Sequence, residues 1–225
     1  MTQVIRQIAM LSGKDLRIEA RSRQTLGLVV VLGLLIVVVL GLGLGPEQVA
    51  SGMSATGVLW VAYLFGGVLC FEKTMAVERH DGALAGLMLA PIDRGVIYAG
   101  KLLSNLTLMV ALALVVTPVA VVMFGFDLSA APLGFAAIMS GGFVGFAAVG
   151  TLFAAAVSST HQQGGLLAMI IFPVCLPLVI VTTQMMLRLF GEGEPIGGTG
   201  LAVLIAFDAV YLVVSWLVFE LILEP

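Results

Sequence analysis

The chain has 225 residues, 60% of them hydrophobic and 10% charged, with a mean hydropathy of +1.17 and a formal net charge of -3. Soluble domains carry roughly 25% charged residues, so a water-soluble enzyme is excluded and the bilayer becomes the solvent against which this sequence folds. So small a net charge argues nothing by itself about nucleic acid, and charge position matters instead; no nucleic-acid partner is expected.

The first 24 residues read as a cytoplasmic entry helix. Val4, Ile5, Ile8 and Leu11 fall on one helical face, so this start can lie in the membrane interface. Beyond Gly13 the pattern degrades, because Asp15 and Glu19 rotate onto the apolar side. The reading is a surface helix that bends near Gly13, pairs Glu19 with Arg23 one turn on, and enters the bilayer through RSRQ (21–24). A plain basic anchor is the alternative.

Crossing a hydrocarbon core about 30 Å thick takes roughly 20 apolar residues. Six runs qualify: residues 25–45, 49–71, 102–124, 132–157, 164–187 and 200–221. Lipid offers no partner to an open backbone, so these runs must be helices, in one all-α membrane domain spanning residues 1–225. The first run begins too late, is too long and lacks the A-x-A site of a cleaved signal. Arg6, Lys14, Arg17, Arg21 and Arg23 precede it, and Lys73, Arg79, Arg94 and Lys101 lie between the second and third runs. Only Arg188 falls on the other side, so the positive-inside rule places both termini in the cytoplasm. The outer loops carry Glu47, Asp127, Glu192 and Glu194.

Between the second and third runs stands MAVERHDGALAGLMLAP (75–91). Glu78, Arg79, His80 and Asp81 form a knot of charge in a chain that has little. Asp81 can cap a helix and Gly82 permits the turn into it. Leu84, Leu87 and Met88 then share one stripe, and Pro91 closes the helix. A helix of about two turns cannot bury such a stripe by itself. It suits a cleft on a soluble partner, with the surrounding charges as a polar rim.

Within the runs, Gly141 and Gly145 of SGGFVGFAAVG (140–150) make a small-xxx-small face for another span, in this subunit or a second copy. Pro173 and Pro177 in FPVCLP must kink or break the fifth span; a static kink, a hinge and a place on a transport pathway are the alternatives. Asp208 is the one ionisable group deep in a span. It should face protein or water, either in a structural hydrogen bond, with Tyr63, Tyr98 and Tyr211 as partners to consider, or in substrate handling or gating. The two cysteines, Cys70 and Cys175, lie far apart with no CxxC or His/Cys cluster, and read as buried apolar thiols. No metal ligands and no catalytic residues are expected.

ERHDGALAGLMLAPIDRGVIYAGK (78–101) resembles the E–DG–L–L–L–P–K stretch of ABC-2-type exporter permeases. Within that group the chain is similar to haem exporter protein B (CcmB) of the cytochrome c maturation system. The similarity extends to LGPEQVASGMSATGVLWVA (44–62), QQGGLLAMIIFPVCLPLVI (163–180) and KDLRIEARSR (14–23), and weakens in the last span. His161, Gln162 and Gln163 depart from it, standing where the family often has basic residues.

The resemblance implies a multi-pass permease of the bacterial inner membrane, with residues 78–91 as a coupling helix that plugs into an ATPase subunit. Glu78, Asp81, Gly82, Leu84, Leu87, Met88 and Pro91 would carry that contact. The sequence holds no G-x-x-x-x-G-K-[ST], so ATP would be bound by a CcmA-like partner. The implied complex adds a CcmC-like haem-handling subunit, a haem chaperone, membrane lipid and a second copy of this chain. Haem would be handled by the complex, with no cofactor bound directly here: both histidines, His80 and His161, map to cytoplasmic loops. The expected function is haem export or haem-chaperone release, driven by a partner's ATP hydrolysis. The rivals are a general ABC-2 permease for a lipid, drug or polysaccharide, and a non-transporting scaffold for an ATPase.

Overall fold

The computed structural model describes residues 2–44, 53–80, 93–125, 127–158, 165–193 and 197–222. Its long helices are α1 (Thr2–Ser22), α2 (Gln24–Gly43), α3 (Met53–His80), α4 (Arg94–Phe124), α5 (Pro132–Ser158), α6 (Leu166–Leu187) and α7 (Gly198–Ile222). A 3-10 turn (Leu128–Ala130) precedes α5, and a π-helical turn (Arg188–Glu192) continues α6. No strand occurs among the described residues. Six helices, α2 to α7, are long and apolar enough to cross a membrane. Crossing in sequence, they put α1 and the last turns of α7 at one end of the bundle, called here the basic end.

Two boundaries move from where hydropathy places them. α3 continues past residue 71 to His80, and α4 begins at Arg94 rather than 102. Each extension adds roughly 12–14 Å of helix at 1.5 Å per residue. Hydropathy marks the membrane's thickness; it is blind to a helix that continues outside it. α4 starts where the Asp93 carboxylate accepts the Gly95 N–H at 3.3 Å, an N-cap. It stops at Gly125, whose φ of 61° supplies the left-handed residue that ends many helices.

α3 and α5 form the interior. Trp60, Tyr63 and Phe71 of α3 mesh with Phe143 and Phe146 of α5 in edge-to-face pairs: Tyr63–Phe143 at 5.1 Å, Phe71–Phe146 at 5.1 Å and Trp60–Phe143 at 6.2 Å. Small residues let the backbones approach this closely. Gly142 lies under Trp60 and Gly150 under Phe71, so a Cβ at Gly150 would collide with the ring. The face of Gly141 and Gly145 is filled from within the same chain: Leu204 of α7 covers Gly141, and Phe207 and Asp208 cover Gly145.

The expected bend near Gly13 is absent; α1 is one helix from Thr2 to Ser22. The two acids that seemed to spoil its apolar face each have a partner. Asp15 meets Lys101 and Ser104 of α4, and Glu19 Oε1 accepts the Leu26 N–H at 2.6 Å. Glu19 therefore caps α2. The expected Glu19–Arg23 ion pair is not present among the described residues. Arg23 instead makes the corner between α1 and α2 with φ 51°, the only non-glycine residue with positive φ among those described. That conformation costs roughly 1–2 kcal/mol, and two bonds to Glu19, from the Arg23 N–H to its carbonyl at 2.7 Å and from the Leu26 N–H to its carboxylate, help to offset the cost.

α6 likewise passes Pro173 and Pro177 as one helix, so the break offered as an option does not occur. Both prolines lie on the exposed face with Met169, Leu176 and Ile180, while Leu167, Ile171, Cys175 and Leu178 face the bundle.

Candidate functional site

Polar side chains gather at the basic end, where α1, α3, α4 and α5 meet. Lys101 is 5% exposed despite its charge. Its Nζ donates to Asp15 Oδ2 of α1 at 2.8 Å and to the Thr74 carbonyl of α3 at 3.3 Å. The Ser104 hydroxyl lies 3.2 Å from the same Asp15 oxygen and 2.9 Å from the Gly100 carbonyl. One turn deeper, Thr74 donates to Asn105 Oδ1 at 2.9 Å, and Asn105 Nδ2 donates to Thr151 Oγ1 of α5 at 2.9 Å. Four helices are thus tied through one face of α4, formed by Lys101, Ser104 and Asn105 at i, i+3 and i+4.

Attraction inside such a buried pair is largely offset by the cost of stripping water from both ions, so its net stabilisation is small. Losing one partner is another matter, costing roughly 3–5 kcal/mol, because the survivor is left buried and unpaired. The network is therefore a positional lock rather than a large source of stability.

The first turns of α4 are clamped as well. Leu11 of α1 packs on Gly100, and Trp216 of α7 packs on Gly95. Tyr98 lies against Phe219 at 5.2 Å and against Trp216 at 6.4 Å. The Tyr98 and Ser215 hydroxyls both donate to the Ala148 carbonyl of α5 at 3.3 Å. Asp15 and Lys101 were visible in the sequence as a flaw in an amphipathic pattern and a loop cation, and within the stretches that carry the family resemblance, but not as a pair. The signal that could have found them is the acid on the apolar face of α1 facing a Lys-x-x-Ser-Asn face on α4.

Of the site residues expected from sequence, Glu78 belongs to the last turn of α3, and Asp81, Gly82, Leu84, Leu87, Met88 and Pro91 lie outside the described residues. Residues 81–92 are therefore carried between α3 and α4, the two helices that the network joins. Pro173 and Pro177 point outward, away from Asp208, and form no common site with it. Asp208 is half-buried on α7, with Oδ1 enclosed over Gly145 and without a hydrogen-bond partner. Tyr63 and Tyr98 do not supply one: Tyr63 bonds to Thr117 at 2.6 Å and Tyr98 to Ala148. Tyr211 stacks on Phe207 at 4.3 Å. Cys70 and Cys175 are buried and unbridged. Among the described residues no three His, Cys, Asp or Glu side chains group to hold a metal ion.

The family model for CcmB protein matches residues 6–223, from the first turn of α1 to the last described turns of α7. The chain belongs to the CcmB protein family. Its relatives include the heme exporter protein B of Paracoccus denitrificans, 28% identical over 186 residues, which cover 81% of this chain and 83% of that protein. The heme exporter protein B of Pseudomonas aeruginosa is 25% identical over 174 residues, 77% of each chain. That of Haemophilus influenzae is 24% identical over 165 residues, 73% of this chain and 74% of the relative. The family match includes the last span, where the resemblance seen in the sequence was weakest. As a CcmB-family chain this is a multi-pass membrane protein, and the locked basic end is part of the matched region.

Proposed function

We propose that this chain is the membrane permease subunit of an ABC-type complex of the bacterial inner membrane, acting in haem export or haem-chaperone release for cytochrome c maturation. The observation that carries the reading is the CcmB family match over residues 6–223, with relatives named heme exporter protein B along most of their own length. In this reading the basic end faces the cytoplasm, in keeping with its Arg and Lys content. A CcmA-like ATPase, which this sequence does not itself encode, docks on residues 78–91. A CcmC-like subunit, a haem chaperone and a second copy of the chain complete the complex.

The coupling step follows from how residues 78–91 are mounted. Leu84, Leu87 and Met88 would fill a cleft of the ATPase, rimmed by Glu78 and Asp81, with Gly82 and Pro91 bounding the helix. Closure of the ATPase would then displace α3 and α4 together, because Lys101, Thr74 and Asn105 join them. Asp15 would bring α1 along. α6, whose two prolines each remove a backbone hydrogen bond, is the helix most easily bent in response. Asp208, half-buried on the neighbouring α7 with Oδ1 enclosed and unpartnered, is the group whose surroundings such a bend would change.

The test is affinity purification in mild detergent of the wild-type chain and the Leu87→Asp variant. The wild type should bring an ATPase with it and support haem loading of the chaperone. The variant should lose both at least ten-fold, while the chain still inserts and elutes as a single species. Retention of both by Leu87→Asp would refute the coupling assignment. A lipid or polysaccharide as the retained cargo, with no haem-dependent step, would favour the general ABC-2 permease instead.

A further inference from the structure

At the end of the bundle opposite the polar network, a cavity of about 270 Å³ opens between α5, α6 with its π-turn, and α7. Its described lining is mixed, with Ile138, Met185 and Val203 apolar and Gln184, Arg188 and Thr199 polar. Among the described residues no carboxylate lines it. Gln184 and Arg188 stand one turn apart, and the helix changes from α to π at Arg188. A π-turn is a rare and less favourable backbone that recurs at functional sites. Arg188 forms no ion pair among the described residues. A guanidinium with no ion-pair partner among the described residues, beside a half-apolar cavity, is suited to an anion carried on an apolar body.

The volume narrows the choice. Sites for whole drug-sized ligands run to roughly 300–1,000 Å³, so this cavity lies at the small end of that range and takes one end of a long-chain amphiphile, with the remainder outside. The exposed apolar faces of α6 and α7, at Ile180 and Val203, adjoin it and offer that remainder a bed. We propose that this cavity binds the anionic end of an amphiphile: Arg188 takes the phosphate or carboxylate, Gln184 and Thr199 complete its hydrogen bonds, and Met185 and Val203 hold the first apolar atoms. The shared chemistry has two sources, the headgroup of a bilayer phospholipid and the free carboxylate of an amphipathic acid. The site stands on the cavity alone and is independent of the ATPase reading; its test needs neither nucleotide nor haem.

The experiment is native mass spectrometry of the purified chain with two probes, phosphatidylglycerol and palmitate, each added to delipidated protein and in competition. The wild type should retain one molecule of one probe above the non-specific background; the probe that displaces the other identifies the source. Arg188→Gln should weaken retention by roughly ten- to a hundred-fold, the loss of one charge-assisted bond pair. Arg188→Lys should keep part of it, and Val203→Phe, which fills the cavity while sparing the charge, should abolish it. Thermal unfolding of each variant checks that the fold is retained. Binding by Arg188→Gln or Val203→Phe at the wild-type level would overturn the proposal, as would a wild type that retains neither probe.

Discussion

The two ends of this bundle are built differently. At the basic end, charged and polar groups are buried and paired across four helices, with Lys101 bridging Asp15 and the Thr74 carbonyl. At the opposite end, the one cation among the cavity's lining side chains is exposed, the helix loosens into a π-turn, and a cavity remains. Burying an unpaired ion is expensive and exposing one is cheap, so the first end holds a fixed geometry and the second can rearrange at little cost.

The comparison can be broken by mutation, most severely at the lock. Lys101→Met should leave Asp15 buried without a partner and cost roughly 3–5 kcal/mol, read as a lower unfolding temperature and as new accessibility of a cysteine placed at Leu11. The double variant Asp15→Leu/Lys101→Met should recover most of that loss, since neither ion then remains stranded. If it does not, the pair has more than a positional role.

A smaller effect is expected in the interior. Gly150→Ala drives a methyl into the Phe71 ring and should cost roughly 1–3 kcal/mol through overpacking, again measured by thermal unfolding. Smaller still is Asp208→Asn. Oδ1 has no hydrogen bond to lose, so stability should stay within about 1 kcal/mol. Haem loading of the chaperone should nevertheless fall if the carboxylate serves function; an unchanged rate would leave Asp208 a structural residue only. Least of all, Arg188→Gln should alter stability by under about 0.5 kcal/mol, since its side chain is exposed and unpaired. A loss near that of Lys101→Met would erase the distinction between the two ends.

Residues 78–91, the proposed coupling segment, were legible in the sequence, whereas the polar network joining α3 and α4 beside them was not. Residues 78–91 stood out because charge, a glycine turn, a leucine stripe and a proline are local signals. Their mount did not, because a buried Lys–Asp pair joins positions 15 and 101, and nothing in either neighbourhood names the other. Gly13 read as a bend because Asp15 and Glu19 looked misplaced, when Asp15 faces Lys101 far along the chain and Glu19 caps the next helix at Leu26. Pro173 and Pro177 read as a kink or a break, and of the two the break is excluded, because α6 continues through both as one helix.

The sequence by itself determined that this is a six-span helical membrane protein, because the bilayer imposes length and apolarity on each segment separately, and runs of that kind can be counted along the chain. It also determined which end is basic. Only the tertiary structure decided where those segments touch: that α1 packs against α4, that α7 fills the glycine face of α5, that Asp208 is enclosed unpaired, and that a cavity remains beside Arg188. Lipid treats all apolar faces alike, so partner choice among helices rests on close packing and a few buried polar bonds. Those exist only once the helices are assembled.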